Sequence, residues 1–244
     1  MTKIFNEFEQ HMLNDAKPSE YFNILVEQQR FPENYPYTLL TDLINVPQSP
    51  VHHPEGNVWY HVMMVVDIAA IYKQISNNPV AFMWAALLHD IGKTKATKIR
   101  KGKITAYDHD RDGHIPARDF ILSQSGDDKL SVEVSNLVRW HMQPLYVELK
   151  LPFVDFYNMS KNVDLSEIGL LTYCDRLGRG YMTQEQIKIE NELSQAFLQN
   201  CLMYISTSGR EKFDEMYIKK QIDSINYKLD RLKFQPYESN LRIT

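Results

Sequence analysis

Residues 81–93 read AFMWAALLHDIGK, an uninterrupted apolar run that ends on a histidine–aspartate pair. Before the run, Asn78-Pro79 offers an N-cap side chain and a proline at the first helical position, where its missing N–H costs nothing. Gly92 marks the other end, so the sequence predicts an apolar helix that stops there. Burying the Asp90 carboxylate at such a helix end is costly unless the group is paired or bound to a metal ion.

Cap and turn signals in the rest of the chain predict an all-α fold with one short β-hairpin. Residues 31–56 contain five prolines and indicate irregular chain around one short helix near Tyr37–Ile44. Lys101-Gly102 predicts a hairpin turn between Thr97–Arg100 and Lys103–Tyr107. The other predicted helices lie near 4–14, 19–30, 57–75, 79–90, 113–124, 128–141, 152–159, 164–177, 183–206 and 210–232.

The composition excludes several classes of protein. Of the 244 residues, 43% are hydrophobic, which is too many for a disordered chain. No apolar stretch approaches the ~20 residues that span a bilayer, and no signal-type segment begins the chain, so we expect a cytoplasmic protein without a membrane partner. A net charge of −4 gives no basic footprint for sequence-specific DNA binding. Cys174 and Cys201 form neither a disulfide framework nor a thiolate zinc site.

Several histidines and two aspartates lie where apolar helices end or pass through the core. His61 shares a helix face with Val65, while His89-Asp90 and His141 each end an apolar helix, and Asp175 lies inside an apolar stretch. A divalent cation would satisfy such groups together, because imidazole and carboxylate are ordinary metal ligands. Pairing of each aspartate with a nearby arginine, Arg176 or Arg179, is the alternative. The spacing leaves both open.

The ordered set of these residues resembles a known family. His61, then Leu88-His89-Asp90-Ile91-Gly92-Lys93 and a later Asp175, match the H…HD…D signature of the HD superfamily of metal-dependent phosphohydrolases. Four further stretches resemble the HD domain of bacterial CCA-adding tRNA nucleotidyltransferases: Val46–His61, Tyr107–Asp110, Arg139–His141 and Cys174–Arg179.

This resemblance covers about 45–180 and implies an HD-domain helical bundle. We expect one domain over 1–244, with helices of residues 1–44 and 181–244 packed on that core. The apolar residues of the C-terminal helices leave a homodimer open. The chain shows no Gly-Ser followed by paired acidic residues of the nucleotidyl-transfer kind, so we expect no CCA addition.

The resemblance also implies a ligand set for one or two divalent ions, with Mn, Fe, Co, Ni, Zn and Mg all open. His61, His89, Asp90 and Asp175 match the ligands of a first ion. His109 and His141 match those of a second ion, with Asp90 as the bridge. His109 is preferred to His114 because His109 and Gly113 meet the family's H-x-x-x-G spacing.

The implied activity is hydrolysis of a phosphomonoester or phosphodiester of a nucleotide or RNA end, a 2′,3′-cyclic phosphate included. Asp90 would help to orient water, and Lys93 resembles the phosphate-facing lysine of the HD-x-GK motif. From Lys93 to Lys103, six of eleven residues are basic. Lys93 and three arginines are the candidate phosphate contacts; the arginines are Arg111, Arg139 and Arg179.

Two other functions stay open at this point. Some HD proteins with the same six ligands activate O₂ at a di-iron centre, and a non-catalytic nucleotide sensor would keep the metal site without turnover. His52 and His53 are expected to pack within their loop, with a substrate contact as the alternative.

Overall fold

The computed structural model describes residues 1–180 and 182–234, which form a helical bundle with one hairpin. The helices are α1 Lys3–Asn14, α2 Pro18–Glu27, α3 Thr38–Thr41, α4 Val58–Tyr72, α5 Pro79–Leu88, α6 Lys93–Ala96, α7 His109–Ser125, α8 Asp128–Trp140, α9 Gln143–Glu148, α10 Phe156–Asn162, α11 Leu165–Leu177, α12 Gln184–Ser206 and α13 Glu215–Phe234. Short 3₁₀ segments occupy Asp42–Asn45, Lys73–Ile75 and Ser208–Glu211. The fold class expected from the sequence, all-α with one short β-hairpin, is confirmed.

The apolar helix α5 lies at the centre of the bundle. Asn78 caps it by accepting a hydrogen bond from the backbone N–H of Ala81, and Pro79 occupies the first turn, as predicted. Every side chain from Ala81 to Leu88 is completely buried. Helices α1, α4, α8 and α11 pack around it. The residues that follow Leu88 therefore emerge in the interior, where polar groups need partners.

The hairpin pairs β1, Lys98–Arg100, with β2, Lys103–Thr105. Its turn at Lys101-Gly102 has φ of 49° and 75°, the left-handed conformation that glycine adopts without strain. The predicted hairpin is confirmed, with shorter strands than expected. Its last residues lead directly into α7.

Helix α7 begins at His109, four residues before the predicted start at 113. Pro116 has no backbone N–H to donate, and a proline is best tolerated in the first turn of a helix. The structure instead accommodates this proline inside the helix. Asp108 takes a left-handed φ of 60° before the helix, and Asp110 and Asp112 lie in the first turn, where acidic groups are favourable.

Other differences concern short or shifted helices. Both α6 and α9 are absent from the predictions, because elements of four to six residues carry too little periodicity to detect. The helix expected near 152–159 starts at Phe156, where Asp155 accepts a hydrogen bond from Asn158 N at 3.0 Å. The last helix starts at Glu215 instead of 210, because Asp214 caps it through Tyr217 N at 2.8 Å.

Helices outside the central group pack on it from both ends of the chain. At the N-terminal side, the rings of Phe5 and Trp84 stack with centroids 4.2 Å apart. At the C-terminal side, the fully buried Lys228 ammonium lies 2.6 Å from Glu167 Oε1, which joins α13 to α11. Among the described residues, no helix is long and apolar enough to cross a membrane.

Two glycines allow the chain after α5 to touch the start of α7. A Cβ placed on Gly92 would lie 2.0 Å from the carbonyl oxygen of His109 and 2.6 Å from Gly113 N. Gly92 itself has ordinary helical angles, with φ of −67°. Its role is therefore to leave space, and the contact brings His109 next to the His89-Asp90 pair.

Replacing Gly92 by alanine should destabilise the fold, because the new methyl group meets backbone atoms that cannot rotate aside. We expect the free energy of unfolding to fall by about 3 kcal/mol, the upper end of typical overpacking costs. Urea denaturation in the presence of a chelator measures this loss without a contribution from bound metal ions.

Gly126→Ala is the matched control. Gly126 has a φ of 73° but nothing within 4 Å of a Cβ, so the substitution introduces backbone strain without a clash. Its cost should be about 1–2 kcal/mol. A smaller loss for Gly92→Ala than for Gly126→Ala would contradict the packing argument.

Candidate metal centre

Six side chains that the sequence analysis named as metal ligands come together in the structure. They lie in, or directly after, five different helices. They are His61 in α4, His89 and Asp90 directly after α5, His109 at the start of α7, His141 directly after α8, and Asp175 in α11. The histidines and Asp90 are buried, and the Asp175 side chain is 13% exposed. The convergence of residues that lie up to 114 positions apart in the chain (61 to 175) is a consequence of the bundle packing around α5.

The imidazole rings turn their Nε2 atoms toward one another. His61 Nε2 lies 3.4 Å from His89 Nε2, and His109 Nε2 lies 3.1 Å from His141 Nε2. Asp175 Oδ1 is 3.0 Å from His61 Nε2. These atoms are all potential ligands, and they face a common centre.

Asp90 lies between the two histidine pairs and directs one oxygen to each. Its Oδ2 is 3.6 Å from His61 Nε2 and 3.4 Å from His89 Nε2. Its Oδ1 is 3.3 Å from His109 Nε2. The cluster therefore divides into two groups that share this carboxylate, one with His61 and His89 and the other with His109 and His141.

The opposite ring nitrogens of three histidines contact backbone carbonyl groups. Each Nδ1 contacts the carbonyl oxygen three residues earlier; the pairs are His89 with Ala86 at 2.9 Å, His109 with Ala106 at 2.7 Å and His141 with Val138 at 2.7 Å. Because a carbonyl oxygen only accepts, each Nδ1 must carry the proton and donate it. A neutral ring of this tautomer has its lone pair on Nε2, which points into the cluster.

His61 is oriented by long-range contacts instead. Its Nδ1 lies 3.2 Å from the carbonyl oxygen of Gly178 and 3.1 Å from Glu55 Oε1. Gly178 can approach because it lacks a side chain; a Cβ there would lie 2.9 Å from Val65 N. Both acceptors fix the His61 proton on Nδ1, so Nε2 again faces the centre.

The pKa values within the cluster move in opposite directions. Burial lowers the pKa of His109 and of His141 to about 4, which favours neutral rings. Burial alone would lower the pKa of His61, but its hydrogen bonds to Asp175 and Glu55 raise it to about 9. The neighbouring carboxylates thus favour positive charge at this position.

The carboxylates remain ionised in spite of their burial. Burial alone would raise the pKa of Asp90, but the Lys93 ammonium and His89 hold it well below its usual value. The hydrogen bond from His61 has the same effect on the pKa of Asp175. Two buried negative charges therefore face four imidazoles.

These observations fit a divalent cation. Asp90 Oδ2 is buried and accepts no hydrogen bond, although Lys93 Nζ lies at 2.7 Å. The facing Nε2 atoms would repel as lone pairs unless a proton or a cation lies between them. Nitrogen and carboxylate oxygen donors of this kind bind zinc and other divalent ions of the first transition series. The donor set can hold a divalent metal, and its chemistry does not select one ion.

The sequence analysis preferred His109 to His114 as a metal ligand. His109 belongs to the group with Asp90 and His141. His114 is partly exposed, and its Nδ1 contacts the carbonyl oxygen of Arg111 at 2.7 Å, outside the cluster. The structure therefore brings His109, and not His114, to the histidine pair.

The arginine alternative for the aspartates is not what the structure shows. Arg176 is buried and forms ion pairs with Glu148 and with Glu190, the latter at 2.6 Å. Arg179 Nη1 lies 4.0 Å from Glu190 Oε1. In the part of the chain that the structure describes, neither Asp90 nor Asp175 is ion-paired with an arginine.

Four residues of the cluster line a cleft of about 460 Å³; they are Asp90, His109, His141 and Asp175. The hairpin and α9 contribute an apolar wall that includes Ile104, Met142, Leu145 and Leu149. Tyr107, with an exposed fraction of 80%, stands at the rim. A ligand in this cleft would contact charge at one end and apolar surface at the other, as in most small-molecule sites.

The four predicted phosphate contacts lie in different surroundings. Lys93 and Arg179 line the cleft, and Lys93 Nζ also donates to Gln48 Oε1 at 2.8 Å. Arg139 is held by Asp110 at 2.6 Å and stacks over Trp140, while Arg111 is 58% exposed beside Asp108. The structure does not place Arg111 or Arg139 in the cleft wall, because their own neighbours direct them elsewhere.

Several polar residues of the site received no role from the sequence. Gln48 contacts Lys93, Glu55 contacts His61, and Thr97 lines the cleft with a buried hydroxyl that has no hydrogen-bond partner. Gln48 and Glu55 lie in the proline-rich stretch before His61. Their polar character in this stretch was the sequence signal that could have indicated a role in the site. Their partners depend on tertiary packing, which a single sequence does not show.

Curated relatives resemble parts of this chain. Over 81 residues it is 43% identical to the Multifunctional CCA protein of Aromatoleum aromaticum. This match covers 33% of this chain and 18% of the relative. The protein of the same name from Actinobacillus pleuropneumoniae is 34% identical over 103 residues, or 42% of this chain and 24% of the relative. The chain thus spans about a fifth of the length of the curated relatives it matches.

The sequence pattern of the HD domain matches residues 58–180, half of the chain. This range includes all six residues of the buried cluster. The resemblance inferred from the sequence is confirmed. The chain therefore belongs to the HD-domain family of metal-dependent phosphohydrolases.

Proposed function

We propose that this protein hydrolyses a phosphomonoester or phosphodiester of a nucleotide or RNA end, with a 2′,3′-cyclic phosphate as one candidate. One or two divalent cations would be held by His61, His89, Asp90, Asp175, His109 and His141. The observation that carries the proposal is the convergence of four imidazole Nε2 atoms and two carboxylates beside an open cleft, which Asp90, His109, His141 and Asp175 line.

Asp90 supports a two-ion arrangement. Its two oxygens face different histidine groups, as a bridging ligand requires. A divalent cation bound there supplies Lewis acidity and a water of lowered pKa. Asp90 would hold one ion with His61 and His89 and the other with His109 and His141.

Lys93 is the proposed phosphate contact closest to the cluster. Its side chain is only 10% exposed, and Gln48 and Asp90 fix its ammonium at the cleft floor. A cation at this position would neutralise a phosphate oxygen and orient the ester toward the metal side. Neutralisation of Asp90 by metal ions would leave the Lys93 charge free for substrate.

Arg179 and Thr97 extend the proposed phosphate site. Arg179 Nε and Thr97 Oγ1 are buried donors without hydrogen-bond partners, and both residues line the cleft. An unpaired buried donor is costly, and a substrate oxygen would satisfy it. These atoms therefore supply the polar end of the cleft with donors that the protein itself does not use.

The lining at the other end of the cleft supports a nucleoside as part of the substrate. Its wall is apolar, and the exposed Tyr107 ring at the rim offers a surface for stacking. Basic residues of the adjoining hairpin, among them Lys98, Arg100 and Lys103, are exposed or partly exposed and add attraction for a polyanion. Nucleotides and RNA ends combine the phosphate and the aromatic base that such a cleft would bind.

Metal removal followed by metal addition tests the proposed reaction. Chelator-treated protein should hydrolyse none of a panel of nucleotides, 2′,3′-cyclic nucleotides and short RNAs with terminal phosphates. Addition of Mn²⁺, Co²⁺, Ni²⁺ or Mg²⁺ should restore release of product from at least one class, measured by chromatography. Absence of turnover with every metal-loaded sample, at stoichiometric metal content, would count against a hydrolase.

Asp90→Ala should abolish both metal binding and activity, because it removes the one carboxylate that both histidine groups share. Elemental analysis after gel filtration measures the bound metal. Asp112→Ala is the matched control: Asp112 pairs with the exposed Lys95 at 2.6 Å, away from the cluster. Asp112→Ala should keep the wild-type metal content, and retention of full metal content by Asp90→Ala would contradict the proposed ligand set.

Lys93→Ala should separate substrate binding from metal binding. Loss of the ammonium removes a positive charge 2.7 Å from Asp90, so metal affinity should stay equal or rise. Loss of one charge-assisted contact should lower kcat/KM by about 10–100-fold. Steady-state kinetics on metal-saturated protein measure this; an unchanged kcat/KM would remove Lys93 from the proposed mechanism.

A further inference from the structure

The loop before α4 sends a buried carboxylate to the outer side of His61. Glu55 Oε1 lies 3.1 Å from His61 Nδ1, and the Glu55 side chain is only 4% exposed. This is the nitrogen opposite the one that faces the cluster. Glu55 thus stands directly behind a ring whose Nε2 contacts Asp90 and Asp175.

The same oxygen also holds a second histidine. His53 Nδ1 lies 2.8 Å from Glu55 Oε1, and the two imidazole rings stand edge to face with centroids 4.8 Å apart. His53 lines the cleft, so Glu55 joins a wall residue to a residue of the cluster. A single carboxylate therefore orients two rings.

The other oxygen of Glu55 reaches the far side of the site. Gly180 N donates to Glu55 Oε2 at 3.2 Å, and Gly180 follows α11, the helix that carries Asp175. The carboxylate thus contacts N–H groups of His53, His61 and Gly180. These contacts engage both oxygens, so they restrain the carboxylate from rotating away from His61.

We propose that Glu55 is a positioning residue that holds His61, and with it His53, for metal binding. A carboxylate behind a metal-binding imidazole fixes the tautomer, fixes the ring plane and increases the basicity of the ligating nitrogen. His61 differs here from His89, His109 and His141, whose Nδ1 atoms contact only neutral carbonyl groups of their own segments. The inference rests on the proposed role of His61 as a ligand.

Glu55→Gln tests this role with the smallest change in shape. The amide can accept a hydrogen bond from His61, but it carries no charge, and its NH₂ group would face the N–H of Gly180. We expect the affinity for Co²⁺ alone to fall by about 10–100-fold, the usual effect of removing such a partner. Competition with a chromophoric chelator measures the affinity, and the visible spectrum of bound Co²⁺ reports the ligand set without any assay of activity.

Glu9→Gln is the matched control, because Glu9 accepts a hydrogen bond from Trp84 Nε1 at 3.1 Å and lies on α1, away from the cluster. It should bind Co²⁺ as the wild type does. Glu55→Asp keeps the charge but shortens the side chain, so it should give an intermediate Co²⁺ affinity. This variant replaces Glu55→Gln in the test if Glu55→Gln does not fold. Circular dichroism establishes folding for each variant.

A double-mutant cycle shows whether Glu55 acts through His61. In a His61→Ala background, Glu55→Gln should change the residual Co²⁺ affinity less than twofold. Equal Co²⁺ affinity of the wild type and Glu55→Gln, or an equal loss in the presence and absence of His61, would overturn the inference. A wild-type protein that binds no Co²⁺ would instead remove the proposed function, and this inference with it.

Discussion

A hydrogen bond from an imidazole Nδ1 to the carbonyl oxygen three residues earlier sets the chemistry of this fold. It occurs at His89, His109 and His141, each at a helix end. The bond is local, and the partly exposed His114 makes the same bond to Arg111 outside the cluster. Because the proton is on Nδ1, the other nitrogen, Nε2, must present its lone pair to the interior. The bundle packing then needs only to bring these helix ends together.

Close backbone contacts supply that second requirement. Gly92 lets the turn after α5 touch the start of α7, and Gly178 lets the end of α11 touch α4. Each contact lies next to a histidine of the cluster, His109 in one case and His61 in the other. Space for the backbone and orientation of the ligand are thus provided by the same few residues. Stability of the core and geometry of the site cannot be separated here.

The sequence was informative where structure depends on neighbours in the chain. The apolar run before His89, its Asn78-Pro79 cap and the turn at Lys101-Gly102 are local signals, and the helical class followed from them. The six clustered residues followed from a family signature, not from spacing alone. The partners of Glu55, Gln48 and Arg139 could not be foreseen, because each arises where distant segments pack. The start of α7 was placed four residues late, because Asp108 makes no side-chain cap there that could mark it.

Arg176 links the site to α12, which lies beyond the residues that match the HD domain. Arg176 directly follows Asp175 in α11. Its buried guanidinium forms ion pairs with Glu148 of α9 and Glu190 of α12. Separating a buried charge from its partners is costly, about 3–5 kcal/mol for a pair, so the three helices are constrained to shift as a unit. Arg176 also lines the cleft, so a substitution of Glu190 in α12 would act on the cleft wall. Access to the cleft can in this way be altered from a helix that carries none of the six clustered residues.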